Sequence, residues 1–291
     1  MESGKGGWAR AIGRLLLFLA ICGAFMLAGS IVVPPGMGTR RDLIAQSALF
    51  LGSAVLAGIV LLRGFEGRQA GALGFGLTRA APGESLRGLV IGLIAIAVPV
   101  ALLAVIGTVH FAADAGTGSE WVVAVTGDFT VLAVAAAGEE ALFRGYPLQI
   151  LARTFGGPPA VLGTSVAFAL AHGANPNVDP IALVNIFFAG VMLAVAYLRT
   201  RSLWFATAVH VGWNWGMASL LDLPVSGLVF MDTPLYEPVV TGEAWLTGGG
   251  FGPEGGLAGT IGFAIALLAV VTLRAVREQE ETRALRPIVD T

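Results

Sequence analysis

Two adjacent glutamates and an arginine stand out in the string GEEALFRGYP at 138–147, inside a long apolar stretch. Glu140 and Arg144 are four residues apart, so a helix places them on one face where they can pair. Glu139 is rotated from its neighbour by about 100° and points elsewhere. Pairing neutralises one carboxylate and leaves the other unpaired, and a desolvated, unpaired carboxylate is a better base at neutral pH.

Two of the three histidines lie in similar apolar surroundings. His172 ends the string FALAH, where the ring of Phe168 shares its helix face and can shield the imidazole. His210 and Asn214 are four residues apart in HVGWN, so the imidazole and the amide project from one helix face. The third histidine, His110, follows an apolar segment beside a polar loop and is expected to be an ordinary interfacial residue.

Together these side chains form a set of groups that could carry out catalysis: an acid, two imidazoles and a carboxamide. Such a set can activate a water molecule and bind an oxyanion, which favours hydrolysis. Ionisable groups within membrane segments are costly and by default mark function. A proton-coupled transporter and a purely structural role remain open, although the chain lacks the internal repeat of many transporters.

The composition indicates that lipid surrounds the elements carrying these residues. Charged residues make up 12% of the chain, hydrophobic residues 56%, and the mean hydropathy is +0.81. A soluble domain carries roughly a quarter charged residues. The net charge of −2 gives no reason to expect nucleic acid as a partner. The single cysteine, Cys22, excludes a disulfide framework and is expected in the core or against lipid.

Apolar stretches of about 18 residues or more predict an all-α polytopic membrane bundle of about eight transmembrane helices. The predicted spans are 15–33, 43–62, 88–109, 129–150, 159–175, 181–198, 203–221 and 257–273. The first is interpreted as a retained anchor, because its apolar core is long for a signal peptide. Glu139 and His210 fall near the middle of their segments, and His172 lies toward the outer end of its own.

The distribution of charge predicts the orientation. If the chain crosses eight times, all of its 17 lysines and arginines except Arg40 and Arg41 fall on the side where it starts, and the other side receives acidic loops. Because basic residues accumulate in cytoplasmic loops, both termini are predicted to be cytoplasmic, in a multi-pass protein of the cell membrane. The longest connection includes the string TGGGFGPEGG at 247–256 and is predicted to be a flexible or partly re-entrant exterior loop.

The strings EEALFR, FALAH and HVGWN resemble the EExxxR, FxxxH and HxxxN motifs of the CPBP family, also called the Abi or type II CAAX prenyl endopeptidase family. All three occur in order, without departure at a motif position, within 121–221. The resemblance implies an intramembrane endopeptidase. With the predicted spans, the chain then divides into three regions: transmembrane helices one to three at 1–120, a CPBP-like catalytic core of helices four to seven at 121–221, and the exterior loop, last helix and cytoplasmic tail at 222–291.

The resemblance assigns a role to each motif residue. Glu139 and His172 would polarise a water molecule. His210 and Asn214 would stabilise the oxyanion. The remaining pair, Glu140 and Arg144, would hold the site in shape.

This mechanism needs no cofactor, but the family was long described as metalloproteases. A zinc ion bound by Glu139, His172 and His210 is therefore the alternative. No HExxH string is present and the spacing does not require a metal, although ligands spread along a chain do not exclude one.

The expected partners are the lipid bilayer and a membrane-associated protein or peptide substrate. The family name suggests a prenylated CAAX substrate, but nothing in the sequence identifies a groove for a prenyl group. A non-catalytic membrane scaffold or immunity-type protein is the alternative from a different functional class.

Overall fold

The computed structural model describes residues 5–34, 38–229 and 232–290, without the side chains of Lys5 and Asp290, and it is 73% helical. Residues 1–4, 35–37, 230–231 and 291, which belong to the predicted regions 1–120 and 222–291, lie outside this description. The prediction of an all-α polytopic membrane bundle is confirmed.

The chain forms a series of helices joined by mostly short connections. They are α1 Lys5–Ser30, α2 Arg40–Phe65, α3 Ala81–Val105, α4 Gly118–Glu140, α5 Tyr146–Phe155, α6 Gly157–Ala171, α7 Pro180–Thr200, α8 Leu203–Trp215, α9 Ala244–Thr247, α10 Leu257–Thr272 and α11 Glu280–Ala284. Two π-helical turns, Ala141–Gly145 and Gly216–Leu220, follow α4 and α8 without a break. Two short strands, β1 Val109–Ala113 and β2 Tyr236–Val240, pair antiparallel.

Five of the described helical segments are long and apolar enough to cross a membrane. They are α1, α2, α3, α7 and the continuous unit of α4, its π turn and α5 at Gly118–Phe155. The helices α6 and α10 are apolar but shorter. The predicted number of about eight spans stays a prediction.

Polar side chains fix the starts of several helices by accepting hydrogen bonds from amides of the first turn. The residues that do so are Thr39 before α2, Thr117 before α4, Asp179 before α7 and Ser202 before α8. Asp42 and Glu120 complete capping boxes with the two threonines. Proline at the first positions of α7 adds to this signal, because its missing N–H is not needed there.

Hydrogen bonds gather one set of helix ends at a common face, here called the terminal face. Glu66, at the end of α2, accepts from Arg14 of α1 at 2.8 Å and from Arg153 of α5 at 2.5 Å. The tail joins this face, because Glu281 accepts from the backbone of Arg79 at 2.6 Å. The first half of α1, the ends of α2 and α5 and the chain after α10 therefore lie together.

The opposite helix ends form a second face, here called the far face. Val109 of β1 lies opposite Val240 of β2, which joins the end of α3 to the segment after α8. Trp121 at the start of α4 donates to the hydroxyl of Tyr236 in β2 at 3.2 Å. The long helices thus run alternately between the two faces.

The glycine-rich segment does not project from the far face but folds back into the bundle. The amide of Asn185, in α7, donates to the carbonyls of Glu254 and Gly256 at 2.8 Å each. Gly252 has φ +88°, and a Cβ there would lie 1.9 Å from the carbonyl oxygen of Pro224. Glycine is therefore required at that position, both for the left-handed backbone and for the close approach.

Candidate active site

The π turn after α4 sets the geometry of the first motif. Arg144 is 0% exposed, and its Nη1 donates to Glu140 Oε1 at 3.0 Å. Its Nη2 donates to the carbonyl of Gly190 in α7 at 3.2 Å, and its guanidinium carbon lies 4.3 Å from the ring centre of Phe168. The pair predicted from the i, i+4 spacing thus forms, and it links α4 to α6 and α7. Single π turns inside helices occur often at functional sites.

His210 connects the two glutamates. Its Nδ1 lies 3.0 Å from Glu140 Oε1, and its Nε2 lies 3.9 Å from Glu139 Oε2. A carboxylate only accepts hydrogen bonds, so Nδ1 carries a proton and donates to Glu140. The other ring nitrogen is thereby directed at Glu139. Gly212 permits this position of α8, because a Cβ there would lie 2.3 Å from the carbonyl of Leu89 in α3.

His172 lies at the C-terminal end of α6, beyond its last full turn. Its Nδ1 is 2.8 Å from the carbonyl oxygen of Phe168, and the two ring centres are 4.6 Å apart. A carbonyl only accepts, so Nδ1 donates and the neutral ring keeps its lone pair on Nε2. The imidazole is therefore held in the tautomer that can take a proton at Nε2. The aromatic contact is the one that the FALAH spacing predicted.

One cavity of about 330 Å³ brings four predicted site residues together: Glu139, His172, His210 and Asn214. Most of its remaining lining is apolar and comes from α2, α4, α6, α7 and α10. The side chain of Glu139 is 29% exposed, so it is accessible from the cavity. Glu140 and Arg144 do not line it and lie behind the reactive groups. A small, mostly apolar recess with a few convergent polar groups is typical of a ligand or active site.

The sequence analysis missed Glu254, which also lines this cavity. Its side chain is 4% exposed, and its Oε1 accepts from Trp213 Nε1 at 2.8 Å. Its Oε2 accepts from the amide and the hydroxyl of Ser226 at 2.8 and 2.7 Å. The only signal in the sequence is a single carboxylate within the glycine-rich string, and that string gives no indication that it enters the bundle.

The predicted zinc ligands do not form a metal-type cluster. We considered groups of three or more histidines, cysteines or carboxylates whose ligand atoms lie within 4.8 Å of one another. Among the described residues, one such group occurs, and it consists of Asp114, Asp232 and Glu237, all exposed on the far face. Glu139, His172 and His210 surround the cavity at wider separations. Their arrangement therefore does not fit a tetrahedral zinc site, which needs ligand atoms about 2 Å from the metal.

Comparison with known proteins gives a family match over the part of the chain that carries the motifs. The fold is that of a multi-pass membrane protein, and its helix bundle encloses a cavity lined by carboxylate and imidazole groups. Residues 120–216 match the family model described as Rce1-like, type II CAAX prenyl endopeptidase Rce1-like, and this segment contains all three motifs. The resemblance to the CPBP family is thereby confirmed, and the match supports a CAAX-type intramembrane protease. None of the curated proteins matches the chain.

Proposed function

We propose that this chain is an intramembrane endopeptidase of the cell membrane, and that it hydrolyses a peptide bond of a membrane-presented substrate with a water molecule activated by Glu139 and His172. The observation that carries the proposal is the single cavity shared by Glu139, His172, His210 and Asn214 within an apolar helix bundle.

In the proposed reaction, a water molecule between Glu139 and His172 gives up a proton as its oxygen attacks the carbonyl carbon of the scissile bond. Glu139 takes this proton, and His172 Nε2 accepts a hydrogen bond that orients the water. The carbon becomes tetrahedral and the carbonyl oxygen becomes an oxyanion. The C–N bond then breaks, and the leaving amine takes the proton from Glu139.

His210 and Asn214 stabilise that oxyanion in the proposed reaction. When both ring nitrogens of His210 are protonated, Nδ1 donates to Glu140 and Nε2 is left to donate into the cavity. The Asn214 amide provides a second donor on the same helix face, one turn further along. A preorganised donor aimed at developing charge is worth about 2.7–4 kcal/mol. Glu140 and Arg144 act through His210, because they fix its orientation.

The test is a cleavage assay on the purified full chain in detergent. The probes are a farnesylated CAAX peptide and a panel of unmodified membrane peptides, each with and without a zinc chelator. The enzyme variants are wild type, Glu139→Ala, His210→Ala and Glu243→Ala. The last is a matched control, because Glu243 is an exposed carboxylate whose side chain makes no cap hydrogen bond.

We expect wild type and Glu243→Ala to cleave at least one peptide, with or without chelator, and the two site variants to be inactive. Wild-type-like cleavage by Glu139→Ala would overturn the proposed roles. Loss of cleavage on chelation, restored by zinc, would establish the metal alternative. Absence of cleavage with all proteins folded would favour the non-catalytic scaffold or immunity-type protein.

A further inference from the structure

Two arginines at the end of α2 line a cleft on the terminal face. Arg63 belongs to the last turn of the helix. Gly67, with φ +61°, then turns the chain so that the backbone N–H of Arg68 reaches the carbonyl of Leu62 at 3.0 Å. Glycine adopts this left-handed backbone at little cost. The turn brings Arg68 back beside the helix end, and both arginines line one open cleft of about 580 Å³.

The cleft carries positive charge that no described residue neutralises. Its described lining, at 63 and 67–71, contains no carboxylate. Neither guanidinium group pairs with a described residue, and Arg68 Nε is buried without a hydrogen-bond acceptor. Nearby Glu66 does not compensate, since its two oxygens already accept from Arg14 and Arg153. Because buried donors normally have a partner, an anionic oxygen in the cleft would supply the acceptor that Arg68 Nε lacks.

The cleft lies at the level where α2 leaves the bilayer. This helix is long and apolar enough to cross a membrane, and its apolar stretch ends at Leu62, directly before Arg63. Trp8, in the half of α1 that lies at the same face, is exposed, and its ring centre lies 5.7 Å from that of Phe155. Tryptophan collects at membrane–water boundaries. The two guanidinium groups of the cleft therefore lie at the depth of the phospholipid phosphates.

An apolar strip on the outside of α2 leads to this cleft. Leu56 and Val60 are four residues apart and Arg63 follows three residues later, so the three side chains lie along one side of the helix. The two apolar side chains are 48% and 45% exposed, so they face lipid and not the bundle. A phospholipid matches both parts, with an acyl chain against the strip and the phosphate against the arginines. A free anion would match the cleft alone.

We propose that the cleft at 63–71 binds the headgroup of an anionic phospholipid from the leaflet at the terminal face, with the phosphate between Arg63 and Arg68. Basic pockets beside membrane helices on the cytoplasmic side bind headgroups of this kind, and the charge distribution predicts that the terminal face is cytoplasmic. A zwitterionic headgroup fits less well, because the two arginines repel its ammonium group. The cleft shares no lining residue with the cavity that holds Glu139, so the lipid site does not depend on the proposed peptidase activity.

The first experiment measures lipid binding to the purified full chain in a nonionic detergent by native mass spectrometry. The probes are phosphatidylglycerol, phosphatidylcholine and inorganic phosphate. The cleft variants are Arg63→Gln, Arg68→Gln and the two together. The matched control combines Arg274→Gln with Arg277→Gln. It removes the same charge from two exposed arginines of the terminal face whose guanidinium groups have no partner among the described residues.

We expect wild type and the control to bind phosphatidylglycerol in preference to phosphatidylcholine. From the usual contribution of one arginine to the attraction of anionic lipid, each single cleft variant should bind phosphatidylglycerol about fivefold more weakly, and the double variant about 30-fold more weakly. An equal loss in the control would show a diffuse attraction to surface charge and overturn the proposal. Equal binding of the two lipids, or displacement of phosphatidylglycerol by inorganic phosphate, would overturn it as well.

The second experiment identifies the lipid in a bilayer. Photoreactive p-benzoylphenylalanine replaces Gln69, an exposed residue of the cleft, or Glu280, which is exposed elsewhere on the terminal face. Each full-length protein is irradiated in vesicles of phosphatidylglycerol and phosphatidylcholine, and the masses of the adducts give the lipid at each position. We expect phosphatidylglycerol adducts above the bilayer proportion at Gln69 and at the bilayer proportion at Glu280. Enrichment at both positions, or at neither, would contradict a specific site in the cleft.

Discussion

Glu139 and Glu140 are adjacent in the chain, but the two carboxylates lie in different surroundings. Glu140 is fully buried and accepts from Arg144 and from His210. Glu139 is partly exposed to the cavity, and its Oε2 accepts no hydrogen bond from the described residues.

The helix itself produces this difference, because consecutive side chains diverge by about 100°. The half formed by Glu140 and Arg144 is buried and paired, and it links α4 to α6, α7 and α8. The other half keeps its bonding capacity for a ligand. Buried charged groups that have lost a partner destabilise a fold, whereas an exposed, unpartnered group can be replaced at little cost to stability. Substitutions of Glu140 or Arg144 should therefore lower the stability of the fold, whereas substitution of Glu139 should lower the cleavage rate.

The largest effect is expected for Arg144→Ala, which leaves the carboxylate of Glu140 buried without its cation. Breaking a buried ion pair on one side costs about 3–5 kcal/mol. Thermal unfolding in detergent should show a large loss of stability, or no folded protein. Arg41→Ala, at an exposed arginine, is the control and should change stability by less than about 0.5 kcal/mol. Equal stability of both variants would contradict the division of the site into two halves.

Glu139→Gln should lower the cleavage rate and leave stability almost unchanged. Loss of a general base lowers rates by about 10²–10⁴-fold. The amide keeps the shape of the side chain, and the position is not a buried ion-pair partner of an arginine. Glu140→Gln is the matched neighbour and should reduce both stability and rate, because Arg144 and His210 lose a charged acceptor. Equal unfolding temperatures of the two glutamine variants would contradict the proposed difference between Glu139 and Glu140.

A smaller effect is expected where the re-entrant loop contacts α8. Trp213→Phe keeps the stacking on Phe263, whose ring centre lies 4.3 Å away, but removes the donor to Glu254. A hydrogen bond to a charged group contributes about 1.5–3 kcal/mol, which is the expected loss in unfolding free energy. In a Glu254→Gln background the same substitution should cost less. Equal losses in both backgrounds would show that the tryptophan acts through packing alone.

The smallest effect is a pH dependence at Asp222, just after the π turn that follows α8. Burial raises the pKa of Asp222 from 3.8 to about 6, the backbone N–H of Thr233 partly opposes this rise, and the nearby Asp232 adds to it. The folded protein therefore holds this proton more tightly than the unfolded chain. The resulting stability is fully present below about pH 4 and is lost as the pH rises through about 6.

Asp222→Asn keeps an acceptor for the Thr233 amide, which lies 3.1 Å away, and removes the titration. Because the site is partly solvated, the gain at pH 7.5 should be below about 1 kcal/mol, and it should fall to almost none below about pH 4. Unfolding temperatures of both proteins across this range provide the check. A stability difference that does not change with pH would rule out Asp222 as the titrating group.

Much of this site is local in sequence and could be predicted. The pairing of Glu140 with Arg144 and the contact of Phe168 with His172 follow from helical spacing alone. The bond from His210 to Glu140 joins residues 70 positions apart and depends on how α4 packs against α8, which no spacing rule contains.

The boundaries of the predicted spans show the same limit of reasoning from sequence alone. The fourth span was predicted at 129–150, but the helical unit runs over Gly118–Phe155, because charged residues near its ends have partners elsewhere in the fold. Asp128 is one of them, bound to Arg40. For the glycine-rich loop, the sequence predicts either a flexible exterior loop or a re-entrant one. It cannot distinguish them, because a flexible loop and a tightly packed loop can contain the same number of glycines.

The cluster at Glu66 has a consequence for how the protein is made. Its two arginine partners lie 52 residues before it and 87 residues after it in the chain. At about 5–20 residues per second, Arg153 emerges on the order of 10 s after Glu66. During that interval Arg14 is the cation already available to the carboxylate. The first helix would therefore hold the second in a provisional hairpin until α5 arrives, so early steps of membrane insertion would depend on an arginine that does not line the cavity.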